Sequence, residues 1–178
     1  MKFKSLAIFL IISSFFLTCI LSIWKIMATL QGLSFTNLNV TPVFLIGILT
    51  ISLGAVWCTH EQPWLLDKSP NEVLLQTSFD ILLSEKINIG LPSYLKIVYR
   101  FLGLYMLTIG FLIMGYVYIT RLGTKIARNC IFLILFVSLL GIYFLVLNYL
   151  PSTPLMPVLY FLTFCLFLSV FFSKYLPD

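Results

Sequence analysis

Residues 97–120, "IVYRFLGLYMLTIGFLIMGYVYIT", decide the class of this protein. The stretch carries a single charged side chain, Arg100, in its first turn, and its remaining residues are uncharged. At about 1.5 Å of rise per residue, a helix of this length exceeds the roughly 30 Å hydrocarbon core of a bilayer. Tyrosines decorate both ends, as they do where a helix meets the two interfaces. We therefore predict a transmembrane helix.

The whole chain has the composition of a membrane protein. Of its 178 residues, 61% are hydrophobic and only 10% are charged, whereas soluble domains average about 45–50% and about 25%. A soluble fold of this size could not bury that much apolar surface. One membrane domain, residues 1–178, is predicted, with the lipid bilayer as its first partner. The net charge of +5 comes from bases that flank apolar segments, so no nucleic-acid partner is expected.

Four further apolar segments complete the predicted fold, at residues 5–24, 42–58, 129–148 and 157–173. The prediction is an all-α, polytopic transmembrane helical bundle with four to five apolar helices. Segment 5–24 lies between Lys4 and Lys25 and favours a retained anchor over a signal peptide, whose apolar region is shorter. Segment 42–58 would reach only about 25 Å as a helix, so a full span and a re-entrant segment both remain open.

Glycines recur at heptad spacing in two of these segments. Gly47 and Gly54 are seven residues apart, and so are Gly103 and Gly110. Residues at this spacing share one face of a helix, where the missing side chain lets a neighbouring backbone approach closely. Both faces are predicted helix contacts.

The polar part of the molecule is the connection 59–96, which holds five of the six acids. Ser69, Pro70 and Glu72 form a capping-box pattern that predicts the start of a helix. Polar residues then recur every four positions opposite an apolar stripe. We therefore predict an interfacial amphipathic helix over 70–86, lying along the membrane surface or capping the bundle.

The distribution of bases predicts the orientation of the last three helices. Arg121, Lys125, Arg128 and Lys174 are expected in the cytoplasm, which places the connection 59–96 outside. With all five segments spanning, the N-terminus would also be outside, against the bases that precede segment 5–24. The side of the N-terminus therefore stays open.

Residues 42–175 resemble a known group of membrane proteins. A glycine-containing helix is followed by "EQPWLL", a helix entered through "YRFLGLYMLTIGFL", a short basic link, a helix, a proline turn and a closing helix. This order, with Arg100 to Gly103 as its most specific element, resembles the DoxX-like four-helix proteins, which include small families of unknown function. The extra segment 5–24, and the lack of an arginine near the end of "FVSLLGIYFLVL", depart from the pattern. The resemblance implies a compact four-helix bundle in a bacterial inner membrane, with no established reaction.

Residues 57–64, "WCTHEQPW", hold the only histidine of the chain. Cys58, His60 and Glu61 are residue types that bind metals, but a zinc site needs three or four ligands and no further histidine or cysteine follows at a useful spacing. We predict no metal and no cofactor. The stretch is also what an interfacial turn would look like, with two tryptophans in the aromatic belt. The four cysteines form no C-x-x-C pair, which disfavours thiol redox chemistry and favours buried apolar roles.

Four residues are the candidate ligand-binding set: Arg100, His60, Glu61 and Tyr99. An ionisable side chain in an apolar segment is a functional candidate by default, and Arg100 could hold an anionic headgroup. It could equally be an anchor that snorkels to the interface. No other charge interrupts an apolar segment, which argues against proton relays and ion-coupled transport.

The sequence predicts a function only in outline. The leading hypothesis is a non-catalytic bundle that packs with a partner protein or binds a lipid-like molecule. The alternative is a membrane enzyme or redox accessory that acts on a lipid or quinone near Arg100, His60 and Glu61.

Overall fold

A computed structural model describes residues 35–150 and 153–176, and the predicted segment 5–24 lies outside them. Within these ranges every regular element is a helix, which confirms the all-α prediction. Four helices are long, namely α1 (Phe35–Thr59), α4 (Leu91–Thr120), α5 (Lys125–Tyr149) and α6 (Met156–Ser173). Between α1 and α4 lie a 3₁₀ turn (Pro63–Asp67), α2 (Lys68–Leu75), α3 (Phe79–Ser84) and a second 3₁₀ turn (Lys86–Asn88).

The four long helices are long and apolar enough to cross a membrane, so the protein is a multi-pass integral membrane protein. The predicted segment 42–58 belongs to a longer helix, because α1 begins at Phe35 and its membrane-span candidate covers Asn39–Thr59. By length, α1 is a full span rather than a re-entrant segment. Pro42 lies inside this helix instead of starting it. Proline has no backbone N–H, so the carbonyl of residue 38 loses its usual helical donor.

Successive long helices run in opposite directions, which gives the bundle two distinct ends. We call the end that holds residues 60–90 and the α5–α6 turn the loop end. The other, which holds residues 121–124, the start of α1 and the end of α6, is the link end.

Close approach of α1 and α4 confirms the prediction made from the glycines. Gly54 faces Gly103, and Gly47 faces Gly110, so the two helices are antiparallel. A Cβ added to Gly103 would lie 2.7 Å from the Gly54 carbonyl oxygen, and one added to Gly110 would lie 2.8 Å from the Gly47 carbonyl oxygen. These four residues form the glycine seam. In a bilayer, apolar side chains gain little by moving from lipid into a helix contact. Close packing of the two backbones therefore provides the attraction between α1 and α4 that the hydrophobic effect provides in water.

The remaining core joins the glycine seam to α5 and α6. Its members are aliphatic and aromatic side chains from all four long helices: Val43, Ile46, Ile113, Val117, Ile131, Phe132, Leu135, Leu139, Leu159 and Leu166. One polar pair is enclosed between α1 and α6, where Ser169 Oγ lies 2.9 Å from Asn39 Oδ1 and both residues are fully buried. Large apolar residues cover the outward faces, as a lipid solvent allows.

The basic link between α4 and α5 is tightly closed. Arg121 and Leu122 both have φ of 51°, and Leu122 is fully buried. Arg128 Nη1 donates to the carbonyls of Leu122, at 3.3 Å, and Gly123, at 3.4 Å. This arginine, expected among the cytoplasmic flanking charges, is therefore buried and closes the turn.

The predicted amphipathic helix 70–86 is divided in two by the structure. The α2 helix starts at Lys68, so Ser69 lies inside it and caps nothing. Gln76 then adopts a left-handed conformation with φ of 53°, and Ser78 caps α3 by accepting from the Ile81 N–H. Glu72 Oε1 accepts from the Phe79 N–H at 2.9 Å instead of completing a capping box with Ser69.

Replacing Ser78 with alanine should loosen α3, because the Ile81 N–H would lose its side-chain acceptor. A lost N-cap costs about 0.5–2 kcal/mol, so faster hydrogen exchange over residues 79–84 is expected. Ser69→Ala is the matched control and should leave this exchange unchanged. If hydrogen exchange over residues 79–84 were no faster in Ser78→Ala than in Ser69→Ala, the assignment of Ser78 as the cap would be contradicted.

Candidate functional site

Four polar side chains from separate elements converge at the loop end: Asp67, Asn71, Tyr99 and Thr153. We call them the loop-end cluster. Asp67 ends the first 3₁₀ turn, Asn71 lies in α2, Tyr99 lies in α4, and Thr153 belongs to the α5–α6 turn.

The turn that carries Asp67 is held by its apolar residues. Pro63 and Pro70 are buried, and Trp64 is 4% exposed. Proline fixes the backbone at the start of the 3₁₀ turn. The indole of Trp64 was expected in the lipid-facing aromatic belt, but the structure buries it in the protein, where it anchors the turn.

Two hydrogen bonds organise the loop-end cluster. The Thr153 hydroxyl donates to Asp67 Oδ1 at 3.2 Å, and Asn71 Nδ2 donates to Tyr99 Oη at 2.7 Å. The first bond ties the first 3₁₀ turn to the α5–α6 turn, and the second ties α2 to α4. Asp67 also lies near enough to Tyr99 to interact with it electrostatically. The cluster therefore joins three parts of the chain at one place.

Asp67 is the electrostatic centre of the cluster. Asp67 is buried, with 9% of its surface exposed. This burial raises the pKa of the Asp67 carboxyl above its ordinary value, and the bond from Thr153 offsets part of the rise. Burial disfavours a carboxylate unless a cation or several donors compensate it. Among residues 35–150 and 153–176 no basic nitrogen lies within 4.0 Å of this carboxylate.

The neighbouring amine is engaged elsewhere. Lys68 Nζ lies 3.5 Å from Glu72 Oε1 and 3.4 Å from Asp80 Oδ2. These bonds raise the pKa of Lys68, with the hydrogen bond to Asp80 as the largest cause. The pairs lie at the surface, where an ion pair adds little stability. They nevertheless direct the amine away from Asp67.

Arg100 lies deeper in its helix than the sequence suggested. Because α4 begins at Leu91, Arg100 is in the third turn of the helix. From Arg100 to Arg121 the chain advances 21 residues, or about 32 Å of helix, which matches the hydrocarbon thickness of about 30 Å. A hydrocarbon core of that thickness fits between the two arginines, which predicts that Arg100 lies at its boundary on the loop end.

The Arg100 side chain is exposed. Its guanidinium makes no hydrogen bond or ion pair with any residue that the structure describes, while its backbone carbonyl accepts a bond from Cys58 Sγ at 3.6 Å. That sulfur contact places the end of α1 beside the third turn of α4. The five donors of the Arg100 guanidinium are therefore exposed, at the predicted level of the headgroups.

His60 and Glu61 follow directly after α1, and both are exposed. His60 Nδ1 accepts the Gln62 N–H at 3.1 Å, a local turn contact. Within the described ranges no hydrogen bond or ion pair joins either residue to Arg100, and no three His, Cys, Asp or Glu side chains lie close enough to hold a metal ion. The sequence-predicted set therefore shares one end of the bundle without forming a contacting site.

The cysteines have different surroundings from one another. Cys165 is buried, as predicted, and Cys58 is half-buried. Cys130 is exposed, so its predicted burial is wrong: it lies beside Tyr116, at the edge of the core, where its side chain is not covered. Cys19 lies outside the described residues.

Tyr99 is the one predicted site residue that the structure places in the loop-end cluster. Asp67, Asn71 and Thr153 were missed. The available signals were weak: an acid directly after the apolar pair Leu65 and Leu66, and a threonine between two prolines in "PSTP".

Similarity to known proteins does not identify this site. No protein-family model, no curated protein and no solved structure matches the chain. The resemblance to the DoxX-like group therefore stays a prediction, and the function is argued from geometry and chemistry.

Proposed function

We propose that this protein is a non-catalytic helical bundle that binds a lipid-like molecule by its headgroup at the loop end. The observation that carries the proposal is the exposed guanidinium of Arg100 at the membrane boundary, next in sequence to Tyr99 of the loop-end cluster. A guanidinium offers paired donors to phosphate oxygens and forms charge-assisted bonds with them.

The surroundings of Arg100 favour a site over a simple anchor. A snorkelling arginine needs only water and any nearby headgroup. Here the preceding residue, Tyr99, is fixed by its bond from Asn71 at 2.7 Å. The backbone carbonyl of Arg100 itself is held by Cys58. These contacts fix the backbone from which the Arg100 side chain projects, and so the place at which its charge meets a headgroup.

The proposal extends to where the protein acts. The DoxX-like resemblance supports a bacterial inner membrane. Arg121, Lys125 and Lys174 lie at the link end and favour the cytoplasm for it. The loop end would then meet the outer leaflet.

The enzyme alternative is not part of the proposal. It required Arg100, His60 and an acid to converge on a substrate. His60 and Glu61 are exposed, and the described residues show no bond between them and Arg100. No observation favours the alternative over headgroup binding.

The test is native purification in mild detergent, followed by mass spectrometry of the lipids that remain bound. The wild-type protein should retain phospholipid, and Arg100→Gln should weaken its retention about tenfold, since hydrogen bonds to charged groups contribute about 1.5–3 kcal/mol.

Lys86→Gln is the matched control, because it removes one exposed positive charge from the same end of the bundle. It should retain lipid as the wild type does. Equal loss of retained lipid in both variants would mean that Arg100 contributes only positive charge, which would contradict its role as a headgroup contact. A wild-type protein that emerges free of lipid, or with a protein partner alone, would overturn the proposal.

A further inference from the structure

The Asp67 carboxylate has an unfilled capacity for donors. Its Oδ1 accepts one bond from the neutral hydroxyl of Thr153, and no other side-chain bond to it occurs in the part of the chain that the structure describes. An ionised carboxylate has about four acceptor positions. Leaving a buried charge with one neutral donor costs stability, so a partner from outside these residues is expected.

A cation that carries several N–H donors would fill this capacity and stabilise the charged form of Asp67. The amine next to Asp67 in sequence, Lys68, is engaged by Glu72 and Asp80. Beside Asp67 stand two further oxygens, the Thr153 hydroxyl and the Tyr99 phenol; the first already accepts from the Leu155 N–H and the second from Asn71, so each has one acceptor position left. A primary ammonium has three donors and no acceptor, which complements this group of oxygens. A quaternary ammonium would need a cage of aromatic faces, and Tyr99 is the only ring in the cluster.

The position of the cluster identifies the source of the amine. Tyr99 and Arg100 are consecutive in α4, so they lie at the same depth, within about 1.5 Å along the helix axis although about 100° apart around it, and this depth is the predicted headgroup boundary. An amine supplied by a lipid at this level is covalently tethered to a phosphate. The phosphate complements the exposed guanidinium, and the amine complements the carboxylate.

We propose that the loop-end cluster binds the primary amine of a zwitterionic phospholipid headgroup, with Asp67 as its counter-ion and Arg100 as the phosphate contact. This inference rests on the proposed function and names the lipid class that the site prefers. Asp67 and Arg100 then act on two different parts of one ligand, so their substitutions separate.

The experiment compares three lipids of identical acyl chains on the purified full chain by native mass spectrometry. The lipids are phosphatidylethanolamine, phosphatidylcholine and phosphatidylglycerol. The wild type should bind phosphatidylethanolamine about tenfold more tightly than the other two. Asp67→Asn, which keeps an oxygen for Thr153, should reduce that preference to within twofold. Glu85→Gln removes an exposed acid of the same connection that makes no pair with Lys68, and it should leave the preference intact.

The outcomes separate the two proposals. Equal wild-type binding of all three lipids would overturn the amine site and leave headgroup binding in place. Loss of preference in both Asp67→Asn and Glu85→Gln would also overturn it, because the effect would follow net charge rather than Asp67. Binding of none of the three lipids would overturn the proposed function and the amine site together.

Discussion

Replacing Gly54 with valine is expected to disrupt the packing of α1 against α4. A Cβ at this position would lie 2.6 Å from the Gly103 carbonyl oxygen and 2.7 Å from the Leu107 backbone nitrogen. Both are backbone atoms, so the clash cannot be relieved by turning a side chain, and the helices must separate. Overpacking a core typically costs 1–3 kcal/mol, and this rigid case belongs at the upper end. We expect the melting temperature in mild detergent to fall by about 10 °C.

Two other glycines of the same chain provide the control. Gly115 in α4 and Gly141 in α5 have open space where a Cβ would stand. Gly115→Val and Gly141→Val make the same chemical change within apolar helices and should shift the melting temperature by no more than about 2 °C, because glycine is itself a poor helix former. If Gly115→Val were as damaging as Gly54→Val, the loss would reflect valine in a helix and not the glycine seam.

The glycine seam could be predicted from sequence because helical periodicity acts over short distances. Two glycines seven residues apart share a face in any helix, whatever the tertiary structure. The starts of α1 and α4 could not be predicted in the same way. Asn39 and Thr41 made the first turns of α1 look like a connection, although Asn39 is buried against Ser169. The predicted segment began at Ile97, yet α4 begins at Leu91, with Pro92 in its first turn, where proline is tolerated.

The division of the predicted amphipathic helix has a similar cause. Polar residues four apart fit one long helix and two short ones equally well. What decides between them is the left-handed residue Gln76 and the caps that Glu72 and Ser78 give to α3. A capping pattern at Ser69 competed with these in the sequence, and nothing local ranked the two.

The candidate site depended on contacts that no local pattern contains. Thr153 and Asp67 are 86 residues apart and meet only because α4 takes the chain to the link end and α5 returns it to the loop end. Tyr99 and Arg100 were accessible to prediction since a charge and a phenol at the edge of an apolar segment are informative in themselves. His60 stood out as the only histidine, but rarity in a sequence says nothing about convergence in space.

Replacing Asp67 with asparagine is expected to stabilise the protein at neutral pH. The pKa of this carboxyl is raised in the folded state, so the folded protein binds the proton more readily than the unfolded chain, whose aspartates titrate near about 3.9. Stability contributed by protonated Asp67 is therefore present at low pH and is lost as the pH rises from that value through the folded pKa. Asparagine is neutral at every pH and keeps an oxygen for the Thr153 hydroxyl.

The measurement is the melting temperature between pH 4 and pH 8 for the wild type, Asp67→Asn and Asp80→Asn. The difference between Asp67→Asn and the wild type should grow as the pH rises and reach a few degrees at pH 7. Asp80→Asn should show no such gain, because Asp80 is exposed and loses its pair with Lys68. If Asp67→Asn were destabilised at every pH, groups of the protein itself would have to compensate the ionised carboxylate. Asp67 would then need no lipid amine, and the proposed amine site would be contradicted.

Stabilisation by Asp67→Asn together with loss of lipid selectivity would give the buried charge its explanation. A residue that lowers the stability of the free protein is retained where binding needs it, since functional sites commonly trade stability for activity. Bound lipid would then offset the stability lost by burying the charge. A ligand that binds only the folded protein stabilises it in proportion to the logarithm of the ratio of ligand concentration to dissociation constant. Adding phosphatidylethanolamine should therefore raise the melting temperature of the wild type more than that of Asp67→Asn. An equal rise in the two proteins would place the lipid elsewhere on the bundle.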